Sequence, residues 1–108
     1  MKNLRERGFD AERLRLSGNN DEGDLVIRVG GRYHVIECKN VASWTRGKLE
    51  GFMGEAAVEA INFSLKRKLS RAHPALFLKR ASKGWSQSYV VLTMDDYLAL
   101  IGGGDGQG

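Results

Sequence analysis

The stretch Asp24-Leu25-Val26-Ile27-Arg28-Val29-Gly30-Gly31-Arg32-Tyr33-His34-Val35-Ile36-Glu37-Cys38-Lys39 decides the fold. Two runs rich in Val, Ile and Tyr flank a Gly-Gly pair. A tight two-residue hairpin turn needs positive φ, which glycine adopts without steric cost. With Gly30 and Gly31 as the turn, Val26 faces Val35, Leu25 faces Ile36, and Asp24 faces Glu37. A three- or four-residue turn would break this pairing. Period-two alternation then puts Asp24, Val26, Val35, Glu37 and Lys39 on one face. Leu25, Ile27, Ile36 and Cys38 fall on the other, which is the expected core face, with Cys38 an inert core thiol.

The pairing has a chemical consequence. Directly opposed like charges destabilise a sheet. Two carboxylates ~5 Å apart repel by roughly 3 kcal/mol at an effective dielectric near 20. A divalent cation between them offsets that repulsion, with Lys39 adding positive charge. An oxygen-only site without His or Cys side-chain ligands favours Mg²⁺, with Mn²⁺ as substitute. Such an ion can polarise a phosphate oxygen and acidify a water, while Lys39 orients that water or stabilises developing charge. The pattern therefore suits phosphodiester hydrolysis. The competing reading is a surface Asp and a surface Glu, with Lys39 pairing Glu22.

Outward from the hairpin, residues 2–7 read as a short helix stopped by Gly8, and Phe9–Leu16 as a strand. Residues 17–23 are loop by composition. Residues 40–46 form a loop with Trp44, followed by a long helix over roughly 47–71. Its apolar stripe is Leu49, Phe52, Met53, Ala56 and Ala60. Gly51 and Gly54 weaken that helix and suggest another backbone close by. His73-Pro74 is the expected stop. Ala75–Lys79 and Ser88–Thr93 read as strands around a basic loop. Asp95 is the expected cap of a last helix with Tyr97, Leu98 and Ile101. The order α-β-β-β-α-β-β-α predicts an α/β domain with a mixed sheet. Residues 1–101 form one domain, and 102–108 a flexible Gly-rich tail.

The chain has 108 residues, enough for one core and too few for two. Seventeen Lys/Arg against thirteen Asp/Glu give +4, and the surplus is local. Residues 60–94 carry Lys66, Arg67, Lys68, Arg71, Lys79, Arg80 and Lys83 with no acidic residue. A polyanion such as a nucleic acid backbone is the simplest partner, and a solvated basic face is the alternative. A hydrophobic share of 42% excludes a disordered chain, and no apolar run is long enough to span a membrane. The start has no secretion-signal character, and the lone Cys38 suits a reducing cytoplasm. One Cys and two distant His residues exclude a Cys/His zinc cage.

Asp24, a hairpin, and Glu37-Cys38-Lys39 resemble the PD-(D/E)xK nuclease superfamily. Gly8-Phe9-Asp10-Ala11-Glu12-Arg13, Ser17-Gly18 and Gly23-Asp24-Leu25-Val26 look like its archaeal-type Holliday junction resolvases and related small phage endonucleases. The likeness is good over residues 8–40 and co-linear beyond. It implies a restriction-endonuclease-like αβββαβ core with a mixed central sheet flanked by helices. It also implies a Mg²⁺-dependent endonuclease, and a homodimer that cuts branched or four-way DNA in recombination, in the cytoplasm of a bacterial or phage-infected cell. Asp24 and Glu37 become metal ligands, joined by the carbonyl of Cys38, and Lys39 the catalytic lysine. Arg13 matches a functional arginine, Ser17 lies in a DNA-facing loop, and Glu55 sits on the long helix near the active site. One departure bears on junction specificity. The resolvases carry a Glu-Arg pair on a longer first helix, and Glu6-Arg7 is out of register with it. Either that role is absent or the natural start lies upstream of Met1.

Lys66, Arg67, Lys68, Lys79, Arg80 and Lys83 are candidate phosphate contacts that carry affinity rather than sequence specificity. Glu59 reads as an exposed charge repelling Glu55. Trp44 either wedges into DNA or anchors a loop, and Trp85 is similar. His34 and His73 are structural. Two competing functions are another nuclease on this fold (restriction-like, repair or nicking) and a non-catalytic basic DNA-binding domain.

Overall fold

The structure, a computed structural model, describes residues 2–14, 24–40, 43–69 and 71–102. Ser17 and the tail from residue 103 lie outside the described residues, as do residues 15–23. The elements in order are α1 (Lys2–Glu6), β1 (Asp10–Arg13), β2 (Leu25–Val29), β3 (Arg32–Lys39), α2 (Arg46–Arg67), β4 (Ala72–Leu78), β5 (Tyr89–Val91) and α3 (Met94–Leu100). A short 3-10 turn, Trp85–Gln87, precedes β5.

The hairpin forms as its turn chemistry dictates. Gly30 and Gly31 have φ of 54° and 81°, which suits a primed turn. Leu25 pairs with Ile36 and Val26 with Val35, the register expected from the sequence. The sheet runs β1-β2-β3-β4-β5. The β3–β4 pair is parallel, joined by the α2 crossover, and the other pairs are antiparallel.

Both sheet faces are covered, which corrects the expected division into core and solvent faces. The larger core lies on the Val26 and Val35 face, where Leu14 and Ala72 pack against Ala60 and Phe63 of α2. Leu25, Ile36 and Ala75 form a second cluster on the opposite face, with Leu4, Phe77 and Leu92 against it. Glu37 shares the α2 face, so it is carried into the interior rather than out to water. Each large side chain buried here contributes roughly 1.5–3 kcal/mol, and Phe63 is buried completely.

Several boundaries differ from the sequence expectation. Helix α2 starts behind Thr45, whose Oγ1 accepts from the Lys48 N–H at 3.2 Å. It ends at Arg67, not near His73. Lys68 adopts a left-handed conformation (φ 56°, ψ 42°) as its C-cap, and the Leu69 N–H returns to the Ser64 carbonyl, closing the helix end. His73 and Pro74 instead lie inside β4. Proline is tolerated there because β5 pairs only with Leu76–Leu78, leaving one side of β4 open at Pro74. The last helix is capped by Thr93 rather than Asp95, through the Asp96 N–H. Among the described residues, no atom from outside the helix's own backbone lies within 4 Å of a Cβ built at Gly51 or Gly54, so the expected close backbone is not found there.

Candidate active site

Strand β3 is longer than β2, so residues Glu37 to Lys39 pair only with β4. The overhang leaves backbone groups open on one side. Asp24 fills that gap. Its N–H donates to the Ile36 carbonyl at 2.9 Å, extending the ladder. Its Oδ2 accepts the Cys38 N–H at 2.7 Å. A carboxylate is thereby fixed beside Glu37 by main-chain geometry alone.

Glu37 is only 9% exposed. Burial raises its carboxyl above the ordinary value, a hydrogen bond with Glu59 opposes that rise, and the charge of Asp24 adds to it. Lys39 pulls in the opposite direction, with Nζ 3.2 Å from Glu37 Oε2. The same ammonium lies 2.8 Å from Glu55 Oε1 and 5.0 Å from the Phe52 ring centre. Its pKa is pushed up to about 12, first by the hydrogen bond to Glu55 and then by Glu37. Lys39 is therefore held as an ammonium, able to donate hydrogen bonds and charge but not to remove protons at neutral pH.

Helix α2 runs antiparallel to β3. Phe63, late in the helix, packs tilted against Tyr33 at the strand's start, ring centres 5.8 Å apart, while Glu55 meets Lys39 at its end. This places Glu55 at the site, in line with the sequence reading. It also brings in Glu59, expected on the surface but only 2% exposed and hydrogen-bonded to Glu37. Its signal was present: Ala56, Glu59, Ala60 and Phe63 follow i, i+3, i+4, i+7, so Glu59 sits within the apolar stripe.

Other candidates fall elsewhere. Arg13 pairs with Leu25, which puts it on the sheet face opposite Glu37 and Lys39. Cys38 is exposed rather than a core thiol. It lines a cavity whose walls desolvate its sulfur; with the charges of Asp24 and Glu37, that pushes the thiol up to about 11. The basic segment divides into two groups. Lys79 follows β4 at the site end, its N–H on the Lys39 carbonyl at 2.9 Å, with Arg80 and Lys83 nearby through Lys79 Nζ contacts. Lys66, Arg67 and Lys68 close α2 at the far end of the sheet. Trp44 stands edge-on to Tyr89 at 5.9 Å, and Arg7 lies over the Trp85 ring. His34 and His73 are buried and stacked at 5.4 Å, and His73 Nδ1 lies 2.9 Å from Asp96 Oδ1. Both therefore sit within the packed interior.

The donor set at the overhang consists of hard oxygens, the chemistry that Mg²⁺ or Mn²⁺ accepts. Among the described residues, no group of three or more His, Cys, Asp or Glu could hold a metal ion. Two carboxylates, with backbone and water oxygens, still satisfy the usual Mg²⁺ pattern.

A mixed five-stranded sheet with a parallel β3–α2–β4 crossover and an acidic overhang defines a restriction-endonuclease-like α/β domain. Among solved structures, the chain is similar to Hjc, a Holliday junction resolvase from the archaeal hyperthermophile Archaeoglobus fulgidus. The TM-score is 0.51 and the identity 18%, over 87% of this chain and 73% of that one. At that identity the likeness speaks for the fold. No protein-family model matches the chain, and no curated protein does. No helix among the described residues is long and apolar enough to cross a membrane.

Proposed function

We propose that this chain is a divalent-metal-dependent DNA endonuclease that acts on branched DNA, most simply a four-way junction, as a homodimer. The observation that carries this reading is the joint position of Asp24, Glu37 and the Lys39 ammonium at one end of the sheet. The fold shared with a Holliday junction resolvase adds support.

Asp24 and Glu37 would hold Mg²⁺ or Mn²⁺, with the Cys38 carbonyl as the third protein oxygen. When bound, such an ion supplies a Lewis acid for the phosphate oxygens. Lys39 gives a fixed positive charge toward the charge that develops on the phosphate. Glu55 anchors that ammonium. Lys79, Arg80 and Lys83 lie at the same end, and with Arg13 they would contact the DNA backbone. Ser17 remains a candidate loop contact, and Lys66, Arg67 and Lys68 would serve a more distant arm.

The homodimer has a candidate surface. Ile61 and Leu65 of α2 are 57% and 72% exposed, and Leu98 and Ile101 at α3 are 47% and 60% exposed. Ile61 and Leu65 line a groove of about 520 Å³ that also reaches Thr93 and Asp95. Exposed apolar side chains at this density suit a protein contact.

The deciding experiment is cleavage of a labelled four-way junction, a flap and a linear duplex, with and without Mg²⁺. Wild type is expected to cut branched DNA only with the ion. Asp24→Asn and Glu37→Gln are expected to abolish cutting while binding stays equal or tightens, since each removes a charge that repels phosphate. Binding without cleavage in Mg²⁺ or Mn²⁺ would instead establish a non-catalytic DNA-binding domain. Equal cutting of linear duplex would favour another nuclease on the same fold.

A further inference from the structure

Behind the active site, on the opposite face of the sheet, lies a cavity of about 310 Å³. It begins at Cys38, the residue between Glu37 and Lys39, whose N–H holds Asp24. Leu4, Leu25, Phe77 and Trp85 give it apolar and aromatic walls. Asn3, Asn40 and Ser88 bring amide and hydroxyl groups to the same space. Lys79 and the Lys39 stretch of β3 also border it, the Lys39 ammonium itself being held on the other face by Glu37 and Glu55, and among the described residues no acidic residue lines it. Arg7 packs on the Trp85 ring, 5.0 Å from its centre, adding charge at that wall.

These features select one kind of occupant. Flat aromatic and apolar surfaces receive a π-face, amides and hydroxyls meet the edge of a heterocycle, and Lys79 and Arg7 supply positive charge for its phosphate. The volume is at the small end of ligand pockets, roughly 300–1,000 Å³, and is sufficient for one base. Cys38, which lines the cavity, is the chain neighbour of both Glu37 and Lys39 and holds Asp24 through its N–H, so the cavity and the acidic site share one stretch of β3.

We propose that this cavity receives an unstacked nucleobase from the DNA strand whose phosphate sits at Asp24, Glu37 and Lys39. The inference rests on the nuclease reading above and extends it: a base freed at a branch point is cheaper to unstack than one in a continuous duplex. The cavity therefore favours branched over linear DNA without reading sequence.

The test uses the full chain carrying Glu37→Gln, which binds without cutting, and four-way junctions with 5-iodouracil placed in turn at each nucleotide flanking the cleaved phosphate, mapped beforehand with wild type in Mg²⁺. The expected result is one position that photo-cross-links to Trp85 or Phe77. Trp85→Ala, at a 39% exposed site, is expected to weaken junction binding about ten-fold while linear-duplex binding stays unchanged. Ser88→Tyr, which fills the cavity, is expected to lose the cross-link with the melting temperature retained. Efficient cleavage by wild type with cross-links only outside the cavity would overturn the base site and leave the nuclease reading standing. So would an unchanged junction preference in both variants, or protection of Trp85 in a DNA-free dimer. Failure of wild type to cut any DNA would overturn both.

Discussion

The ammonium of Lys39 sits between Glu37 and Glu55, with its charge reinforced by both. A lysine whose folded pKa is raised contributes stability in full below its unfolded value near 10.5 and loses it as pH climbs through about 12. From pH 6 to 9 the contribution is therefore constant. The melting-temperature difference between wild type and Lys39→Ala is expected to stay flat across that range. Cleavage by Lys39→Ala is expected to fall roughly 10²–10³-fold, the scale of losing one charge-stabilising donor. Wild-type rate should show no decline assignable to this lysine up to pH 10; single-turnover rates against pH measure it. The charge on Lys39 and its neighbourhood to Glu37 were legible in the sequence, because alternation along one strand fixes both. Glu59 is the residue the sequence reading misplaces: its i, i+4 spacing from Glu55 suggests a pair of exposed repelling charges, whereas Ala56, Ala60 and Phe63 set it within the buried stripe of α2.

At the scale of elements, the hairpin was the most legible part, since Gly30 and Gly31 leave the chain one low-cost register. The end of α2 was not, because its stop is a lysine in a conformation that glycine normally supplies, and nothing local signals that. Gly51 and Gly54 teach the opposite lesson: open space surrounds both, so their helix cost has no packing return. Gly51→Ala and Gly54→Ala are each expected to stabilise the fold by about 1 kcal/mol. That corresponds to a rise of roughly 4–8 °C in Tm, read by thermal melts. The Pro74 position was illegible for a topological reason. A proline looks like a helix stop until the short reach of β5 reveals that β4 has an unpaired side there.

For the whole molecule, the division of the basic residues sets the electrostatics. Lys79, Arg80 and Lys83 lie at the site end and Lys66, Arg67 and Lys68 at the other, separated by much of a 22-residue helix. Neutralising each residue of the first group that contacts a phosphate should lower the slope of log K against log[salt] by about one. Variants of the second group should change it less on short substrates; filter-binding titrations across salt concentrations discriminate the two. Assembly has its own measurement. Leu65→Asp is expected to shift the sedimenting species from dimer to monomer and to uncouple the two cuts at a junction, with secondary structure unchanged. The long crossover from β3 to β4 has a temporal consequence. Asp24 and Glu37 belong to one hairpin, which closes in roughly 1–10 μs, whereas the lysine's second anchor arrives only when α2 docks and the slower parallel pairing completes. A nascent chain thus brings its two acids and the Lys39 ammonium together early, and the docking of α2 then adds Glu55 and Glu59 to the same neighbourhood, so the end of the hairpin gains negative charge only as the fold closes.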